Sequence, residues 1–280
     1  MFVQALRLKD FRLFSDRTFQ FEKQTCVVLG PNARGKSSIV EAIDLLATGK
    51  SFRAGKVEEM IQFDQELARV KAKISESNPG EESLAGLDEL ELSLILTRGE
   101  VQGKRTRKTL YSVNKNRRRK KDFVGNLLTV VFRPEDLRLI EGSPRRRRDY
   151  LDKPISLISN KYDHSLTKYS KALRRRNKLL SLIKENKQPE SVLQFWDMSI
   201  AKHGQIVQKL RKKFCQFVNA QVEPPLKMKL DYQPSLITEE RVENHRESAM
   251  AAGYTLIGPH KDDLDVKLDF SNNSKSNYQS

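Results

Sequence analysis

The stretch Gly30–Ser37 reads Gly-Pro-Asn-Ala-Arg-Gly-Lys-Ser, and it directly follows the apolar run Cys26–Leu29. After it, apolar side chains at Ile39, Ile43 and Leu46 recur at the spacing of a helix. Two glycines five residues apart, followed by Lys-Ser and placed between a strand and a helix, are typical of a loop that binds nucleotide phosphates. The sequence therefore predicts a strand, a phosphate-binding loop and a helix in this order.

Each residue type in this loop has a chemical reason. Gly30 and Gly35 let the backbone bend, so that successive N–H groups face a phosphate chain. Lys36 can reach the terminal phosphates, Ser37 can offer its hydroxyl to Mg²⁺, and the helix N-terminus adds its dipole. An ordinary glycine turn would not explain why Lys-Ser follows the second glycine. The predicted nucleotide-binding residues are Gly30, Pro31, Asn32, Ala33, Arg34, Gly35, Lys36 and Ser37, with Ser37 also the predicted Mg²⁺ ligand.

Length and composition indicate a globular protein with one large or two modest domains. The chain has 280 residues, of which 38% are hydrophobic and 31% charged. It contains no apolar stretch of membrane-spanning length, and its N-terminus lacks the layout of a signal peptide. Its two cysteines, Cys26 and Cys215, form neither a metal-binding spacing nor a disulfide framework. We therefore expect a cytoplasmic protein with reduced thiols.

The positive charge is concentrated in the middle of the chain. The formal net charge is +16, and residues 101–220 contain 31 lysines and arginines against 10 acidic residues. The basic clusters are Arg117–Lys121, Arg145–Arg148, Arg174–Arg176 and Arg211–Lys213. A single cluster would be read as a solvated helix face, but four clusters with so few acids favour a nucleic acid as partner. The candidate DNA contacts are Arg117, Arg118, Arg119, Arg145, Arg146, Arg174 and Arg175.

The residue pattern divides the chain into two lobes. Residues 1–142 are predicted to form a sheet-rich ATP-binding lobe I, joined by return strands from about 253–280, and residues 143–252 a mainly helical lobe II. Predicted strands of lobe I are Phe2–Leu8, Thr18–Phe21, Cys26–Leu29, Arg69–Ile74, Leu90–Leu96, a hairpin over Thr109–Lys121, and a buried strand over Leu127–Phe132.

Lobe II is predicted to contain a helical hairpin. Ser143 and Pro144 suit the cap and first position of a helix. Two long amphipathic faces follow, one from Tyr162 to Ile183 and one from Val192 to Phe217. The second contains Phe195, Trp196 and His203, and such stripes are more often core than a base-stacking surface, so Trp196 and His203 are not proposed as site residues. Strands are predicted again at Tyr254–Ile257 and Leu264–Phe270.

Four stretches together resemble the RecF family. They are the opening Leu6–Phe14, the loop Gly30–Ser37 with Ile39–Ile43 after it, the run from Phe132 to Leu137 and on through Gly142–Asp152, and Leu256–Asp263. The matches cover nearly the whole chain, and the last two are more specific to this family than a phosphate loop is. The resemblance implies an α/β P-loop NTPase of the ABC-ATPase type, related to Rad50 and SMC heads, with a mixed sheet in lobe I and a helical lobe II.

The resemblance also implies a function and a few further site residues. It implies ATP with Mg²⁺ as cofactors, ATP-dependent homodimerisation on single-stranded, gapped or junction DNA, and a role in recombinational repair, replication and the SOS response. RecO and RecR are the implied partners in recombinase loading. Arg12 matches a basic residue near the phosphates in relatives. Glu135 and Asp136 occupy the place of the Q-loop without its glutamine, while His260, Lys261 and Asp262 fit either a nucleotide contact or a buried turn before a strand.

One departure from the family pattern concerns catalysis. A Walker B strand ending in Asp-Glu and a signature motif are not found, although the chain ends at Ser280, where the signature would begin. We therefore expect a C-terminally truncated form whose intact relatives are DNA-dependent ATPases, and we expect little ATP hydrolysis by this chain, with no catalytic residue assigned.

Two other functions fit part of the pattern. A P-loop kinase acting on a nucleoside or nucleic-acid end would explain the loop and the charge, but not the Pro134–Leu137 and Gly258–Asp263 stretches. A structural head of the Rad50 or SMC kind would need far longer coiled coils than the predicted hairpin.

Overall fold

The computed structural model describes residues 2–22, 25–75, 89–139, 141–223 and 228–268. The chain divides into two compact units, Met1–Phe132 and Arg133–Ser280. One hydrophobic cluster forms the core of the first unit, and three smaller clusters form that of the second.

The first unit is built on a six-stranded antiparallel sheet. Its elements are β1 (Phe2–Phe11), β2 (Phe14–Gln20), α1 (Lys36–Thr48), β3 (Leu67–Ser75), β4 (Glu89–Thr97), β5 (Glu100–Val101), β6 (Lys104–Arg105), β7 (Thr109–Val113), β8 (Asn116–Arg118) and α2 (Lys120–Phe123). The strand order is β2-β1-β3-β4-β7-β8, and every neighbouring pair is antiparallel. β5 and β6 form a separate two-stranded ribbon.

Period-two alternation explains the core of this sheet. In β1 the side chains of Leu6 and Leu8 are fully buried while Arg7 and Lys9 are exposed. β3 and β4 contribute alternate apolar residues in the same way, and α1 covers them with its own apolar face. The predicted strands near residues 2–8, 18–21, 69–74 and 90–96, the hairpin from Thr109 and the loop helix are therefore confirmed.

Two predicted strands are wrong. Neither Cys26–Leu29 nor Leu127–Phe132 adopts strand structure, and Val27, Leu29 and Val130 are largely exposed. A strand needs a neighbour to bond its N–H and C=O groups. β2 and β8 are the sheet edges, and neither apolar segment pairs with them in the described residues. Of these residues, Leu127 does reach the core.

The second unit is mainly helical. Its elements are α3 (Pro144–Ile158), α4 (Asn160–Lys184), α5 (Gln194–Ala220), β9 (Met228–Gln233), α6 (Glu239–Asn244), α7 (Arg246–Ala252) and β10 (Asp263–Leu268). α3 has Ser143 as its N-cap residue and Pro144 in its first turn, as predicted. α4 and α5 form the predicted hairpin. A hydrogen bond from Arg211 to the hydroxyl of Tyr162 joins the start of α4 to the second half of α5, as in an antiparallel pair.

The structure corrects the predicted division of the chain. The first unit ends at Phe132 and not at residue 142, and β10 pairs with β9 inside the second unit and not with the sheet of the first. The sequence analysis did not predict β9, and β10 therefore had no predicted strand to pair with inside the second unit. Tyr254–Ile257 is not a strand, and the predicted return strands beyond residue 268 lie outside the described residues.

Two predicted core aromatics are also misplaced, and one of them, Phe217, is 64% exposed. The other, Phe195, is 69% exposed, whereas its neighbour Trp196 packs against the second unit's core. Consecutive helical residues point about 100° apart, so the rings of Phe195 and Trp196 cannot both lie at the centre of one buried face.

Candidate functional site

The loop before α1 has the backbone that its sequence predicts. Gly30, Ala33 and Gly35 have positive φ angles of 152°, 62° and 87°. At Gly35 a Cβ atom would also lie 2.6 Å from the Cζ atom of Phe14. Glycine at this position is therefore required both by the left-handed backbone and by the ring behind it. Ala33 adopts a left-handed conformation at some steric cost.

The N-terminus of α1 is free to receive an anion. The amides of Ser38 and Ile39 bond back to the carbonyl of Gly35, no side chain caps the helix, and its first turn contains no acidic residue. A helix N-terminus carries roughly half a positive charge, which here is not offset by a side chain of the helix. The arrangement suits a phosphate group.

Lys36 closes over the loop. Its ammonium donates to the carbonyls of Gly30 at 2.6 Å and Pro31 at 2.7 Å. Gly30 to Arg34 and Ser37 are exposed, so their backbone and the Ser37 hydroxyl face solvent. The structure thus brings the positive charge, the open amides and the hydroxyl to one place, and these groups fit the triphosphate and Mg²⁺ that the sequence predicted.

Arg12 has a structural role in the first unit. Its Nε and Nη2 atoms donate to the two carboxylate oxygens of Glu41 at 3.0 and 2.7 Å, and Nη1 donates to the carbonyl of Glu59 at 2.6 Å. The side chain of Glu41 is fully buried, so the guanidinium neutralises a carboxylate that would otherwise be costly to bury. A nucleotide contact by Arg12 stays a prediction.

Glu135 and Asp136 lie in a short 3₁₀ helix, Pro134–Leu139. Asp136 accepts from the backbone N–H of Arg133 at 2.9 Å and from its Nη2 at 2.7 Å. This hydrogen bonding holds the pKa of Asp136 below its usual value. Glu135 is exposed. Asp136 therefore stabilises its own turn.

Asp262 is the centre of a buried polar network. Its carboxylate is fully buried and accepts from Arg211 Nη1 at 2.8 Å, from Gln208 Nε2 at 2.8 Å and from the Ser235 amide at 2.9 Å, as well as from the Tyr232 hydroxyl. A carboxylate with this many internal donors is held in place by the protein. For Asp262 the structure thus favours the buried turn over the nucleotide contact.

Arg211 is the cationic partner in this network. It also donates to both carboxylate oxygens of Asp152 and to the carbonyl of Pro259. Burial alone would lower the pKa of Arg211, but the carboxylates of Asp152 and Asp262 raise it above its ordinary value. Arg211 was predicted as part of a basic surface cluster. The available signal was its position on the apolar face of α5, one turn after Val207.

His260 is half-buried and is held as a neutral imidazole. Its Nε2 lies 3.1 Å from the carbonyl of Thr255 and must donate to it, so Nδ1 accepts from the hydroxyl of Tyr169 at 2.6 Å. Burial lowers the pKa of His260 to about 4. Lys261 is exposed, with its ammonium 5.5 Å from the centre of the Tyr254 ring.

Comparisons with known proteins agree with this architecture. Residues 2–138 match the model of the RecF/RecN/SMC N-terminal domain. Over 97% of its length the chain is 28% identical to the DNA replication and repair protein RecF of Bacillus cytotoxicus and 29% identical to that of Bacillus cereus, spanning 74% of each. It superposes on the recombination mediator protein RecF-ATP of the RecFOR pathway with a TM-score of 0.76 and 28% identity, covering 95% of this chain and 73% of that one. The chain is similar to RecF proteins along nearly its whole length.

The chain therefore has the fold of an ABC-type P-loop ATPase, as the sequence predicted. A second RecF structure, with ATPrS, gives a TM-score of 0.78 at 27% identity and the same coverage. No helix in the described part of the chain combines the length and the apolarity that a membrane span needs.

The basic clusters of the chain divide into surface and structural arginines. The seven candidate DNA contacts are all exposed: Arg117, Arg118 and Arg119 at β8 and directly after it, Arg145 and Arg146 in the first turn of α3, and Arg174 and Arg175 in α4. Their neighbours are engaged inside the second unit. Arg147 pairs with Asp263, Arg176 pairs with the buried Asp197, and Arg148 donates to the carbonyl of Asp262.

Proposed function

We propose that this chain binds ATP with Mg²⁺ at Gly30–Ser37 and binds DNA through its exposed basic residues, as a RecF-type protein of recombinational repair and replication. The observation that carries the ATP proposal is the uncapped N-terminus of α1, with the Lys36 ammonium directly over the loop. Similarity to RecF proteins supports the same conclusion.

The loop residues have separate tasks in holding the nucleotide. Bound ATP supplies a triphosphate whose charge the loop must offset. The backbone N–H groups of the loop and of the first turn of α1 orient the phosphates. Lys36 exchanges its two carbonyl acceptors, Gly30 and Pro31, for phosphate oxygens, which are stronger partners because they are charged. The exposed Ser37 hydroxyl is the Mg²⁺ ligand.

The wider role rests on the similarity to RecF proteins. We propose that the chain works on single-stranded or gapped DNA in the cytoplasm, forms an ATP-dependent homodimer, and acts with RecO and RecR in loading a recombinase and in the SOS response. Support comes from the RecF proteins that it matches over nearly its whole length. The exposed arginines in both units supply the positive charge that a DNA partner needs.

A pair of lysine variants tests the ATP proposal. Lys36 and Lys50 stand near opposite ends of α1, so Lys50→Ala removes the same charge away from the loop. A charge-assisted hydrogen bond is worth about 1.5–3 kcal/mol, so its removal in Lys36→Ala corresponds to a roughly 10- to 100-fold weaker ATP affinity. ATP binding is measured by calorimetry, and DNA binding is measured with and without ATP. ATP affinity of Lys36→Ala equal to that of Lys50→Ala would refute the proposed site.

A further inference from the structure

The α4–α5 hairpin brings two histidines and two lysines together on its surface. The rings of His164 in α4 and His203 in α5 meet edge to face, with their centres 6.2 Å apart. Lys168 follows His164 by about one turn in α4, and Lys202 directly precedes His203 in α5. His164, Lys168 and Lys202 are exposed, and His203 is half-buried. We call these four residues the histidine–lysine cluster.

One atom of this cluster lacks a partner. Nδ1 of His203 is buried and has no hydrogen-bond partner among the residues that the structure describes. A buried ring nitrogen without a partner costs free energy. The pKa of His203 is lowered by burial, by His164 and by the two lysines. Lys168 and Lys202 therefore place positive charge around His203.

Further cations lie on the same faces of both helices. Lys161 and Arg175 stand seven residues before and after Lys168, and Lys209 stands seven residues after Lys202. Seven residues make nearly two helical turns and advance roughly 10 Å, so all of these side chains leave their helices in nearly the same direction. Lys161, Arg175 and Lys209 are exposed. The cluster is therefore the centre of two basic rows.

The acidic residues of the two helices do not offset these rows. α4 and α5 contain one aspartate each, Asp163 and Asp197. Asp197 is buried and pairs with Arg176 and Arg246. Asp163 points roughly 140° around the helix from Lys168. A rigid pair of helices with parallel basic rows and no acids between them complements a regular polyanion.

We propose that the histidine–lysine cluster, with its flanking rows, binds the sugar–phosphate backbone of DNA along the α4–α5 hairpin. This inference rests on the proposed DNA-binding function and gives it a location. A phosphate oxygen accepts hydrogen bonds from the lysine ammonium groups and from the imidazoles, whose protonated forms both donate. Backbone contacts of this kind position a nucleic acid without reading its sequence.

A charge-matched pair of double variants tests the location. Lys168→Gln/Lys202→Gln removes two cations of the cluster. Lys184→Gln/Lys212→Gln removes two exposed cations from the same helices, of which Lys184 lies roughly 160° around α4 from Lys168. All four lysines are exposed, so both variants should fold. Affinity for a fluorescent gapped oligonucleotide is measured at several salt concentrations.

We expect the cluster variant to bind DNA at least tenfold more weakly, with the slope of log affinity against log salt reduced by about 2, one for each phosphate that the variant no longer neutralises. The control variant should stay within about twofold of wild type. Equal losses in both variants, or none in the cluster variant while wild type binds DNA, would overturn the location and leave the proposed function intact. Wild type that binds anionic lipid vesicles but no DNA would overturn both.

His203 provides a second readout that a general charge effect would not change. In NMR spectra, the pKa of His203 should rise when the oligonucleotide is added, because a phosphate nearby favours its protonated form. The same titration is run on the control variant, where the rise should persist. A pKa of His203 unchanged by saturating DNA would overturn the proposal.

Discussion

Gly35 combines two restrictions at one residue of the nucleotide loop. Its φ of 87° is unfavourable for any side chain, and its missing Cβ makes room for the ring of Phe14. Gly103 has a similar φ of 72° but nothing within 4 Å of an added Cβ, so it isolates the backbone effect.

We predict that Gly35→Ala lowers the free energy of unfolding more than Gly103→Ala does. Both variants incur about 1–2 kcal/mol from the left-handed backbone, and Gly35→Ala adds about 1–3 kcal/mol of overpacking against Phe14. Hydrogen exchange of the β1 and β3 amides, recorded at increasing urea concentration, measures the difference in the free energy of unfolding between the two variants. The smaller side chain in Gly35→Ala/Phe14→Leu should restore part of the stability. Equal effects of the two alanines would show that the ring does not matter.

His260 makes the stability of the second unit depend on pH. Its folded pKa of about 4 lies below the ordinary value of about 6.5, so between these pH values the unfolded chain binds a proton that the folded chain does not. Stability is therefore full above about pH 6.5 and falls as the pH is lowered towards 4.

We predict that His260 alone lowers the free energy of unfolding of the wild-type protein by roughly 2 kcal/mol between pH 7.5 and pH 5, because one pKa unit corresponds to about 1.4 kcal/mol. The chain has one tryptophan, Trp196, which packs in a core of the second unit and reports its unfolding by fluorescence. His260→Asn should be less stable at pH 7.5 but show a flatter pH dependence. His203, whose pKa is also lowered, acts with the same sign and is present in both proteins. Parallel pH profiles would contradict the prediction.

At the scale of elements, three consecutive arginines in α4 have different roles. Arg174 and Arg175 are exposed, whereas Arg176 is almost fully buried, pairs with Asp197 of α5 at 2.6 Å and donates to Thr255. Successive side chains of a helix point about 100° apart, so three consecutive arginines cannot all face solvent when one side of the helix is buried.

We predict that Arg176→Met lowers the free energy of unfolding by about 3–5 kcal/mol, because it leaves the buried Asp197 with only Arg246. Arg175→Met, one residue away, should change stability by less than about 0.5 kcal/mol and weaken DNA binding instead. Denaturant unfolding by Trp196 fluorescence and the oligonucleotide assay measure the two effects. Similar stability losses in both variants would contradict the assigned roles.

The turn before β10 joins several elements through one carboxylate. Asp262 is fully buried and contacts Gln208 and Arg211 of α5, Tyr232 of β9 and the Ser235 amide. Its neighbour Asp263 makes a partly exposed pair with Arg147 of α3.

We predict that Asp262→Asn destabilises the second unit by about 3 kcal/mol, because Arg211 loses its fully buried counter-ion and keeps the partly exposed Asp152, whereas Asp263→Asn changes stability by no more than about 1 kcal/mol. Trp196 fluorescence in denaturant measures both. If Asp262 served the nucleotide instead, Asp262→Asn would leave stability unchanged and weaken ATP binding.

The elements that the sequence predicted are those with a local signal. Alternation in β1 and helical spacing in α4 depend on neighbouring residues only, and the loop before α1 follows from its own eight residues. The failure at Cys26–Leu29 has a physical reason, since an apolar run becomes a strand only beside another strand. The network around Asp262 could not be predicted from neighbouring residues either, because its hydrogen-bond partners lie 27 to 54 residues away along the chain. A charged residue on an apolar helical face, as at Arg176 and Arg211, was the one usable signal.

At the scale of the whole molecule, the net charge of +16 overstates the surface that is open to DNA. Several arginines of the central clusters are used inside the second unit, at Arg147, Arg176 and Arg211. The exposed cations that remain, at β8, the start of α3 and the α4–α5 hairpin, are still numerous and belong to both units. Basic residues that only keep a protein soluble would be interspersed with acidic residues. Basic residues that bind DNA would neutralise its phosphates, which then release their bound counter-ions.

We therefore predict a steep salt dependence for the whole chain. If six or more phosphates are contacted, DNA affinity should fall by about a thousandfold between 50 and 200 mM salt. Polyglutamate of equal length serves as the control polyanion, because its carboxylates lack the regular spacing of a nucleic acid backbone. It should compete weakly with the oligonucleotide for the protein. A nearly flat salt profile, or equal competition by polyglutamate, would mean that the basic residues act as a general positive field and that the rows on α4 and α5 do not form a DNA-binding surface.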